Sequence, residues 1–384
     1  MVESTLTLKD LENALRNGEF IFYYQPKISM ITGKIIGAEA LIRWKKPNGD
    51  LVMPGNFIPL AESTGYISKI TTAMLDELII DMTIFQDTQP GITISINACS
   101  KDFDHPLFID NIKFAIDTHQ LDPNHLEVEL TESTLLEESG YAHQNFSKLV
   151  DMGVPLVMDD FGTGFSSIDM LSKLPFSAVK LDQGVVSRME QSEKNQTIVE
   201  STIRMGHQLG FDVVAEGIET EEVYQTLQNA GCTIAQGYWI SHPLPFLDFL
   251  DFIRQDKRWP STAVGLLYMA ELDHIQWRKS LFDGVFSLKN RKTEGFGFRG
   301  KPASDSTSCM LGKWYYGAGR EYCNLEAYIA LEEPHKQLHD QGNDLIKAVE
   351  KGASKEEVTG RMRELSMLSG VIIQLLQDIE NEIM

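Results

Sequence analysis

Two adjacent carboxylates, Asp159 and Asp160, follow an apolar run in the stretch MDDFGTGFSS (158–167) and precede a loop with two glycines. On a regular strand, neighbouring side chains point to opposite faces. Both carboxylates can therefore serve one site only if the strand ends there and the backbone turns. The stretch predicts such a strand end, with a polar site beside it.

Polar residues also end other apolar runs of the chain. If these runs are the strands of a β/α barrel, their C-terminal ends face one cavity, and polar residues distant in sequence converge there. The residues at these ends are Glu39, Asn97, Glu129, Asp159, Asp160, Lys180, Glu216 and Gln236. Carboxylates gathered in a cavity raise one another's pKa unless cations neutralise them. A set of Asp, Glu and Asn without His or Cys favours the hard ions Mg²⁺ or Mn²⁺.

A simpler interpretation exists for each position taken alone. A single Asp or Glu after a strand is more often the N-cap of the next helix than a metal ligand. Glu39 does not fit this interpretation, because it lies inside the stretch AEALIRW (38–44) and not beside a helix start. The GTGF piece (162–165) alone indicates only a turn, since it lacks the dinucleotide fingerprint GxGxxG. The agreement of five carboxylates with Asn97 and Lys180 favours one shared site.

The elements that must position these residues alternate along the chain. Eight apolar runs have the length of strands: 20–28, 34–44, 92–99, 126–133, 155–162, 177–183, 212–219 and 233–241. Most are separated by segments in which apolar residues return every three or four positions, as in 56–82 and 195–210, a pattern typical of helices. This order predicts a TIM-like (β/α)8 barrel. Only SMITGK (29–34) joins the first two runs, so the first strand is expected to be antiparallel to the second.

The pattern changes after about residue 255. A length of 384 residues suggests two domains, one of which can be a barrel of about 250 residues. We expect a barrel domain at 1–255, a linker at 256–262 and an all-α helical-bundle domain at 263–384. Long helical periods at 263–286, 324–352 and 355–383 support the bundle. A polar loop rich in Gly and Ser (292–308) interrupts it.

Composition excludes some classes of protein. The formal net charge is −21, which argues against a partner held by its phosphates, such as DNA or RNA, because that binding needs Lys and Arg. No basic-then-apolar leader is present, and no run reaches the ~18 apolar residues of a membrane span, so a cytoplasmic location without membrane contact is expected. Four cysteines are too few for a disulfide framework.

The motifs at these positions resemble those of the EAL-family cyclic-di-GMP phosphodiesterases. The matching pieces are YQPK (24–27), EALIRW (39–44), SINACS (95–100), ELTEST (129–134), DDFGTGFSS (159–167), KLD (180–182), AEGIE (215–219) and QGYWISHP (236–243). They occur in order over roughly residues 5 to 255. The resemblance implies an enzyme that hydrolyses cyclic-di-GMP to linear pGpG in bacterial second-messenger signalling, using two Mg²⁺ or Mn²⁺ ions.

The same resemblance implies roles for individual residues. Glu39, Asn97, Glu129 and Asp159 would hold one metal, and Asp159 would bridge to a second metal shared with Asp160 and, directly or through water, Glu216. Lys180 would position the attacking water, with Glu216 and Gln236 helping to orient it. Substrate contacts would come from Gln25, Arg43, Gln236 and Asp182. Glu132 would hold the GTGF loop. Together these roles make Glu39, Lys180, Glu216, Asp159 and Asp160 the candidate catalytic residues.

A second candidate metal site lies in the helical part. His335 and His339 are four residues apart and therefore share a helix face. Taken alone, such a pair is more often an exposed polar face than a metal site. His274 and Cys309 add a third imidazole and a thiolate, which together complete a tetrahedral shell for one Zn²⁺. Cys323 competes as a ligand, although REYCNLEAY (320–328) favours ordinary burial.

These pieces also resemble the chemoreceptor zinc-binding (CZB) domain family. The matching residues are His274, CMLGKW (309–314) and PHKQLH (334–339). A zinc-held thiolate can respond to an oxidant or to zinc supply. We therefore expect zinc or redox regulation through this domain, within a homodimer.

Two other functions stay open from the residues. A barrel of this kind can lose catalysis and act as a cyclic-di-GMP receptor or scaffold, and ligand loss would indicate this, but no ligand position is altered. Enolate or aldol chemistry with Lys180 and one metal is disfavoured by the number of carboxylates.

Overall fold

The computed structural model describes residues 6–131, 134, 140–161, 171, 174–209 and 211–261, and in the C-terminal part residues 267, 270, 274–275, 277–279, 281–282, 285, 305–307 and 309–383. The chain forms two compact units. One contains the described strands and ends at Ser261, and the other contains the C-terminal helices.

The described strands of the first unit form one sheet. They are β1 (Phe20–Ser29), β2 (Ile35–Lys45), β3 (Leu51–Val52), β4 (Thr93–Ala98), β5 (Leu126–Thr131), β6 (Leu156–Phe161), β7 (Phe176–Leu181), β8 (Asp212–Ala215), β9 (Ile234–Ala235) and β10 (Leu244–Pro245). The order β1-β2-β4-β5-β6-β7-β8-β9 closes into a barrel, because β1 pairs with both β2 and β9. Within the barrel both pairings of β1 are antiparallel, and the successive pairs from β2–β4 to β8–β9 are parallel. The predicted barrel with an antiparallel first strand is confirmed.

The connection between β1 and β2 explains this direction. Parallel neighbours need a crossover of about a dozen residues or more, and only residues 30–34 lie between these strands. In the resulting register Gln25 lies opposite Glu39, and Lys27 lies opposite Gly37. Short β3 and β10 add to β2 and β1 outside the closed barrel.

Helices surround the barrel at Leu8–Arg16, Pro54–Ser63, Ile67–Thr88, Ser100–Asp104, Pro106–Asp117, Gly140–Asp151, Gln183–Ser187, Glu193–Leu209, Glu221–Asn229 and Phe246–Arg254. The period at 56–82 predicts one helix, but the structure has two. Gly65 between them has φ +70°, a left-handed conformation that ends a helix. The last two predicted strands are shorter than expected, because the chain turns away at Glu216 and Gln236.

The barrel core has two layers of different polarity. On β5, Leu126, Val128 and Leu130 are fully buried and by alternation face the surrounding helices. The opposite face carries Glu127 and Glu129, whose carboxylates bond to lysines inside the barrel. The apolar layer therefore stabilises the fold, and the barrel interior is left for polar chemistry.

The segment predicted as a linker, 256–262, is anchored to the first unit. Trp259 is buried, and its backbone N–H donates to the Gly33 carbonyl at 3.1 Å. The Tyr224 hydroxyl donates to the Pro260 carbonyl at 2.7 Å.

Every element of the second unit whose first and last residues the structure describes is a helix or a helical turn. Its elements are Met310–Tyr316, a 3₁₀ turn at Ala318–Tyr322, Glu326–Glu350 and Lys355–Ile383, and the described residues between 267 and 285 are also helical. The predicted bundle is confirmed. Most of the loop 292–308 lies outside the described residues. Within the described part of the chain, no helix has an apolar stretch long enough to cross a membrane.

Candidate functional site

Lys180 lies at the centre of the barrel mouth. Its side chain is 1% exposed, and its Nζ lies 3.1 Å from Glu39 Oε2, 2.5 Å from Glu129 Oε2, 3.4 Å from Asp159 Oδ1 and 2.6 Å from Glu216 Oε1. Burial disfavours the charged ammonium, but the carboxylates outweigh burial and raise the pKa of Lys180 well above its ordinary value. The structure thus brings together residues from β2, β5, β6 and β7 and from the loop after β8.

Glu39 is fixed by amide donors as well as by Lys180. The Asn97 side chain donates to Glu39 Oε1 at 2.7 Å, and the Gln236 side chain donates to Glu39 Oε2 at 2.7 Å. Gln236 also donates to Gln25 Oε1 at 3.2 Å. These contacts join residues of β1, β2 and β4 and the residue after β9, and they place Gln25 and Gln236 beside the carboxylate of Glu39.

The paired aspartates owe their arrangement to the backbone at the end of β6. Asp160 has φ +58°, in the left-handed region that Asp adopts more readily than most residues. Its backbone N–H donates to Asp159 Oδ1 at 2.9 Å. The strand alternation is broken here, so two successive carboxylates can serve the same end of the barrel.

Burial and crowding shift the pKa of several of these carboxyls. Burial, with help from neighbouring carboxylates, raises the pKa of Asp159 to about 6 and that of Glu216 to about 8. Burial and Asp182 raise the pKa of Asp160. For Glu129, burial is outweighed by Lys180 and Lys27, which lower its pKa to about 2.

The donor set fits hard divalent cations. Two described ammonium groups, those of Lys180 and Lys27, bond to members of this set. They are outnumbered by its five carboxylates, from Glu39, Glu129, Asp159, Asp160 and Glu216. Burial is the main cause of the raised pKa of Asp159 and of Glu216, and neighbouring carboxylates raise both further, so a cation bound beside them would favour their ionised forms. Oxygen ligands of this kind suit Mg²⁺ or Mn²⁺, and Glu39, Asn97, Glu129, Asp159, Asp160 and Glu216 could hold them.

A cavity of about 170 Å³ opens over these residues and is lined in part by Gln25, Leu41, Gln183 and Tyr238. Arg43 lies two positions beyond Leu41 on β2, where its guanidinium donates to the Ile42 carbonyl and lies 5.7 Å from the Tyr23 ring. The Asp182 side chain accepts from the Gly184 N–H at 2.9 Å and caps the helix that follows β7. Glu132, expected to hold the GTGF loop, lies outside the described residues.

The second unit contains a compact cluster of soft ligands. Ligand atoms of Cys309, His335 and His339 all lie within 4.8 Å of one another, and all three residues are buried. Cys309 Sγ lies 3.2 Å from His335 Nε2. Burial lowers the pKa of His335 to about 4, which keeps the imidazole neutral, as metal binding requires. Their burial rules out the exposed polar face, and the donor set fits Zn²⁺.

Local structure explains the glycine of the CMLGKW stretch. Cys309 is the N-cap of the helix Met310–Tyr316, and its Sγ accepts from the Gly312 N–H at 3.3 Å. A side chain at Gly312 would overlap the Ser306 carbonyl and lie 2.8 Å from the Thr307 carbonyl carbon. The turn before the helix can therefore present the thiol only when residue 312 has no Cβ.

The other two candidate ligands lie outside this cluster. His274 is buried, and its Nε2 hydrogen-bonds the Ser369 hydroxyl at 2.9 Å. Burial lowers the pKa of His274 to about 3, with smaller contributions from His335, Arg278 and His339. Cys323 is exposed, so the expectation of ordinary burial is wrong. It is the C-cap of the 3₁₀ turn Ala318–Tyr322.

Sequence reasoning missed two partners of these sites. Lys27 bonds Glu129 inside the barrel, and Ser369 bonds His274 from the last helix. Lys27 could have been found, because it shares a strand face with Gln25, two residues away in YQPK. No local pattern marks Ser369.

The fold and the barrel mouth define a β/α barrel whose inner carboxylates surround one lysine. The EAL domain model matches residues 8–243, and the chain belongs to the EAL domain family. The chemoreceptor zinc-binding domain model matches residues 274–346. Both resemblances inferred from the sequence are confirmed.

Characterised relatives align with the barrel part. The bifunctional diguanylate cyclase/cyclic di-GMP phosphodiesterase MucR of Pseudomonas aeruginosa is 36% identical over 244 residues, which cover 63% of this chain and 36% of MucR. The cyclic di-GMP phosphodiesterase RocR of the same organism is 33% identical over 247 residues, 64% of this chain and 63% of RocR. The chain thus spans about a third of the length of MucR and less than two thirds of RocR.

A solved structure gives the same match. The MucR phosphodiesterase in complex with c-di-GMP superimposes with a TM-score of 0.59 at 36% identity, covering 63% of this chain and 98% of that one.

Proposed function

We propose that this protein hydrolyses cyclic-di-GMP to linear pGpG with the help of two divalent cations, Mg²⁺ or Mn²⁺. The observation that carries the proposal is the contact of one buried lysine, Lys180, with carboxylates from four separate segments of the barrel. Every ligand position expected from the family pattern retains its residue. Two named phosphodiesterases among the relatives support the choice of substrate.

We assign the candidate residues to metal binding, orientation of the attacking water and contact with the substrate. Bound divalent ions would supply Lewis-acid polarisation of the phosphodiester and an acidified water. Glu39, Asn97, Glu129, Asp159, Asp160 and Glu216 would hold those ions. Lys180 would orient the attacking water, because its ammonium already lies within hydrogen-bond distance of Glu39 and Glu216. Glu216 and Gln236 would help to orient this water. Contacts with the dinucleotide would come from Gln25, Arg43, Gln236 and Asp182.

The test is incubation of the full chain with cyclic-di-GMP and either Mg²⁺ or Mn²⁺, with products separated by chromatography. We expect pGpG to accumulate, EDTA to stop the reaction and Asp159→Asn to reduce the rate at least about 10-fold, since loss of groups that only orient metal ligands already costs about 10- to 100-fold. Asp117→Asn is the matched control, since Asp117 is an exposed carboxylate paired only with Lys113 on the same helix. Tight binding without product would instead favour the receptor function.

We further propose a regulatory zinc domain at 263–384, joined to a barrel domain at 1–255 through 256–262, in a protein that acts as a homodimer. The buried cluster of Cys309, His335 and His339 supports the zinc site, and His274 would be the fourth ligand. Because zinc keeps Cys309 deprotonated, zinc loss or oxidation would change the bundle. Zinc removal and Cys309→Ser should both change hydrolysis rate or dimer content, and unchanged values of both would refute regulation.

A further inference from the structure

Lys27 is a buried lysine to which the family pattern and the roles above assign no task. It is 3% exposed, and its Nζ lies 2.9 Å from Glu127 Oε2 and 2.9 Å from Glu129 Oε1. A buried ammonium is costly unless it is paired. Pairing with two carboxylates therefore ties Lys27 to one place inside the barrel.

The antiparallel direction of β1 determines that place. Gln25 faces Glu39 across the β1–β2 pair, and Lys27, two residues further along the same face, lies opposite Gly37. Paired residues on neighbouring strands point to the same side of the sheet, and Gly37 has no side chain that could extend into the interior beside Lys27. Lys27 consequently lies one layer below the residues of the barrel mouth.

The two oxygens of Glu129 are bound by different lysines. Oε2 contacts Lys180 and Oε1 contacts Lys27. The Glu129 side chain is 0% exposed, so water does not replace either partner. Lys27 is anchored independently through Glu127, whereas Lys180 is shared among several carboxylates. Lys27, which lies deeper in the barrel than the mouth, therefore determines the orientation of the Glu129 carboxylate.

We propose that Lys27 is a positioning residue, which holds Glu129 in the orientation that presents this carboxylate to a divalent cation at the barrel mouth. The proposal rests on the proposed function, because Glu129 is a ligand only if the barrel binds divalent cations. Groups that orient ligands in this way typically contribute about 10- to 100-fold to metal affinity.

The direction in which Mn²⁺ affinity changes when Lys27 is replaced distinguishes a positioning role from a purely electrostatic one. Lys27→Met removes a positive charge, which by Coulomb attraction alone would make divalent cations bind more tightly. If Lys27 orients Glu129, the same change frees the carboxylate to rotate, and Mn²⁺ should bind about 10-fold more weakly. A purely structural role would lower the melting temperature of the chain and leave Mn²⁺ affinity unchanged.

The experiment is calorimetric titration of the metal-free full chain with Mn²⁺, accompanied by melting curves and by the Mn²⁺ concentration for half-maximal hydrolysis. Lys27→Met is compared with Lys27→Gln, which keeps one donor for Glu129 and serves as the second variant if the first fails to fold. The matched control is Lys113→Met, because Lys113 is an exposed lysine that pairs with Asp117 on its own helix, and this variant should keep Mn²⁺ affinity within about 3-fold of wild type.

Weaker Mn²⁺ binding by about 10-fold in Lys27→Met, or by at least about 3-fold in Lys27→Gln, is the expected result. Equal or tighter binding in a folded variant overturns the positioning role. A wild-type chain that binds Mn²⁺ but leaves cyclic-di-GMP intact refutes the proposed function alone, because the comparison of Mn²⁺ affinities still stands. A wild-type chain that binds no Mn²⁺ overturns both.

Discussion

Substitution of Gly312 by alanine should disable the candidate zinc site while leaving the barrel intact. The added methyl group would overlap the carbonyl oxygen of Ser306 and lie 2.8 Å from the Thr307 carbonyl carbon. Both obstacles are backbone, so neither can rotate away as a side chain could. The segment from Ser306 to Gly312 carries Cys309 at its turn, and any relief of the overlap moves the thiol.

The size of the effect follows from the overlap. Carbon atoms in ordinary contact lie about 3.5–4 Å apart, so the turn must open by roughly 1 Å to accept the methyl group. Inserting a methyl group into a packed site costs about 1–3 kcal/mol. If the metal-bound form bears this cost, zinc affinity should fall about 5- to 150-fold. If the turn opens, the hydrogen bond from the backbone N–H of residue 312 to Cys309 Sγ, now 3.3 Å, also lengthens, which acts in the same direction.

The assay is competition for Zn²⁺ between the full chain and a chromophoric chelator. Gly360→Ala is the matched control, because Gly360 lies within the helix Lys355–Ile383 and a Cβ there meets nothing within 4 Å. It should raise stability by up to about 1 kcal/mol and leave zinc affinity unchanged. If Gly312→Ala bound zinc as tightly as wild type, the inferred link between the turn and the thiol would be wrong.

Three further outcomes are expected. Gly237→Ala should lower kcat/KM at least about 10-fold, because a Cβ there would lie 2.7 Å from the Ile218 carbonyl carbon and would displace the neighbouring Gln236. Steady-state hydrolysis measures this change. Gly55→Ala is the control and should act as wild type, because a Cβ at Gly55 would meet nothing within 4 Å. Lys180→Met should lower the unfolding free energy of the metal-free chain by about 3–5 kcal/mol, because four carboxylates lose their shared partner. Urea titration measures this free energy. A loss below about 1 kcal/mol would contradict the inference that these contacts of Lys180 stabilise the fold. His274→Ala should weaken zinc binding less than His335→Ala, because His335 Nε2 lies 3.2 Å from Cys309 Sγ while His274 bonds Ser369. Chelator competition measures the zinc affinity of both variants, and an equal loss of affinity in the two would contradict this ranking.

Much of the barrel was predictable because its signals are local. Apolar runs and helical periods depend on residues close in sequence, and the five residues between β1 and β2 exclude a parallel crossover by length alone. The ends of β5 and β7 were also predictable, since the same runs place Glu129 and Lys180 near them, whereas Glu39 lies in the middle of β2. The break at Gly65 was missed, because the apolar period continues across it while the backbone conformation does not.

The sequence by itself determined which chemical groups the protein has at its strand ends and that a barrel would gather them at one mouth. Only the tertiary structure decided which of them touch: that Lys180 contacts four carboxylates, that Lys27 approaches Glu129 from below, and that His274 pairs with Ser369. The physical reason is that such contacts depend on the register between strands and on the packing of helices far apart in the chain. Neither is encoded in the pattern of any single segment.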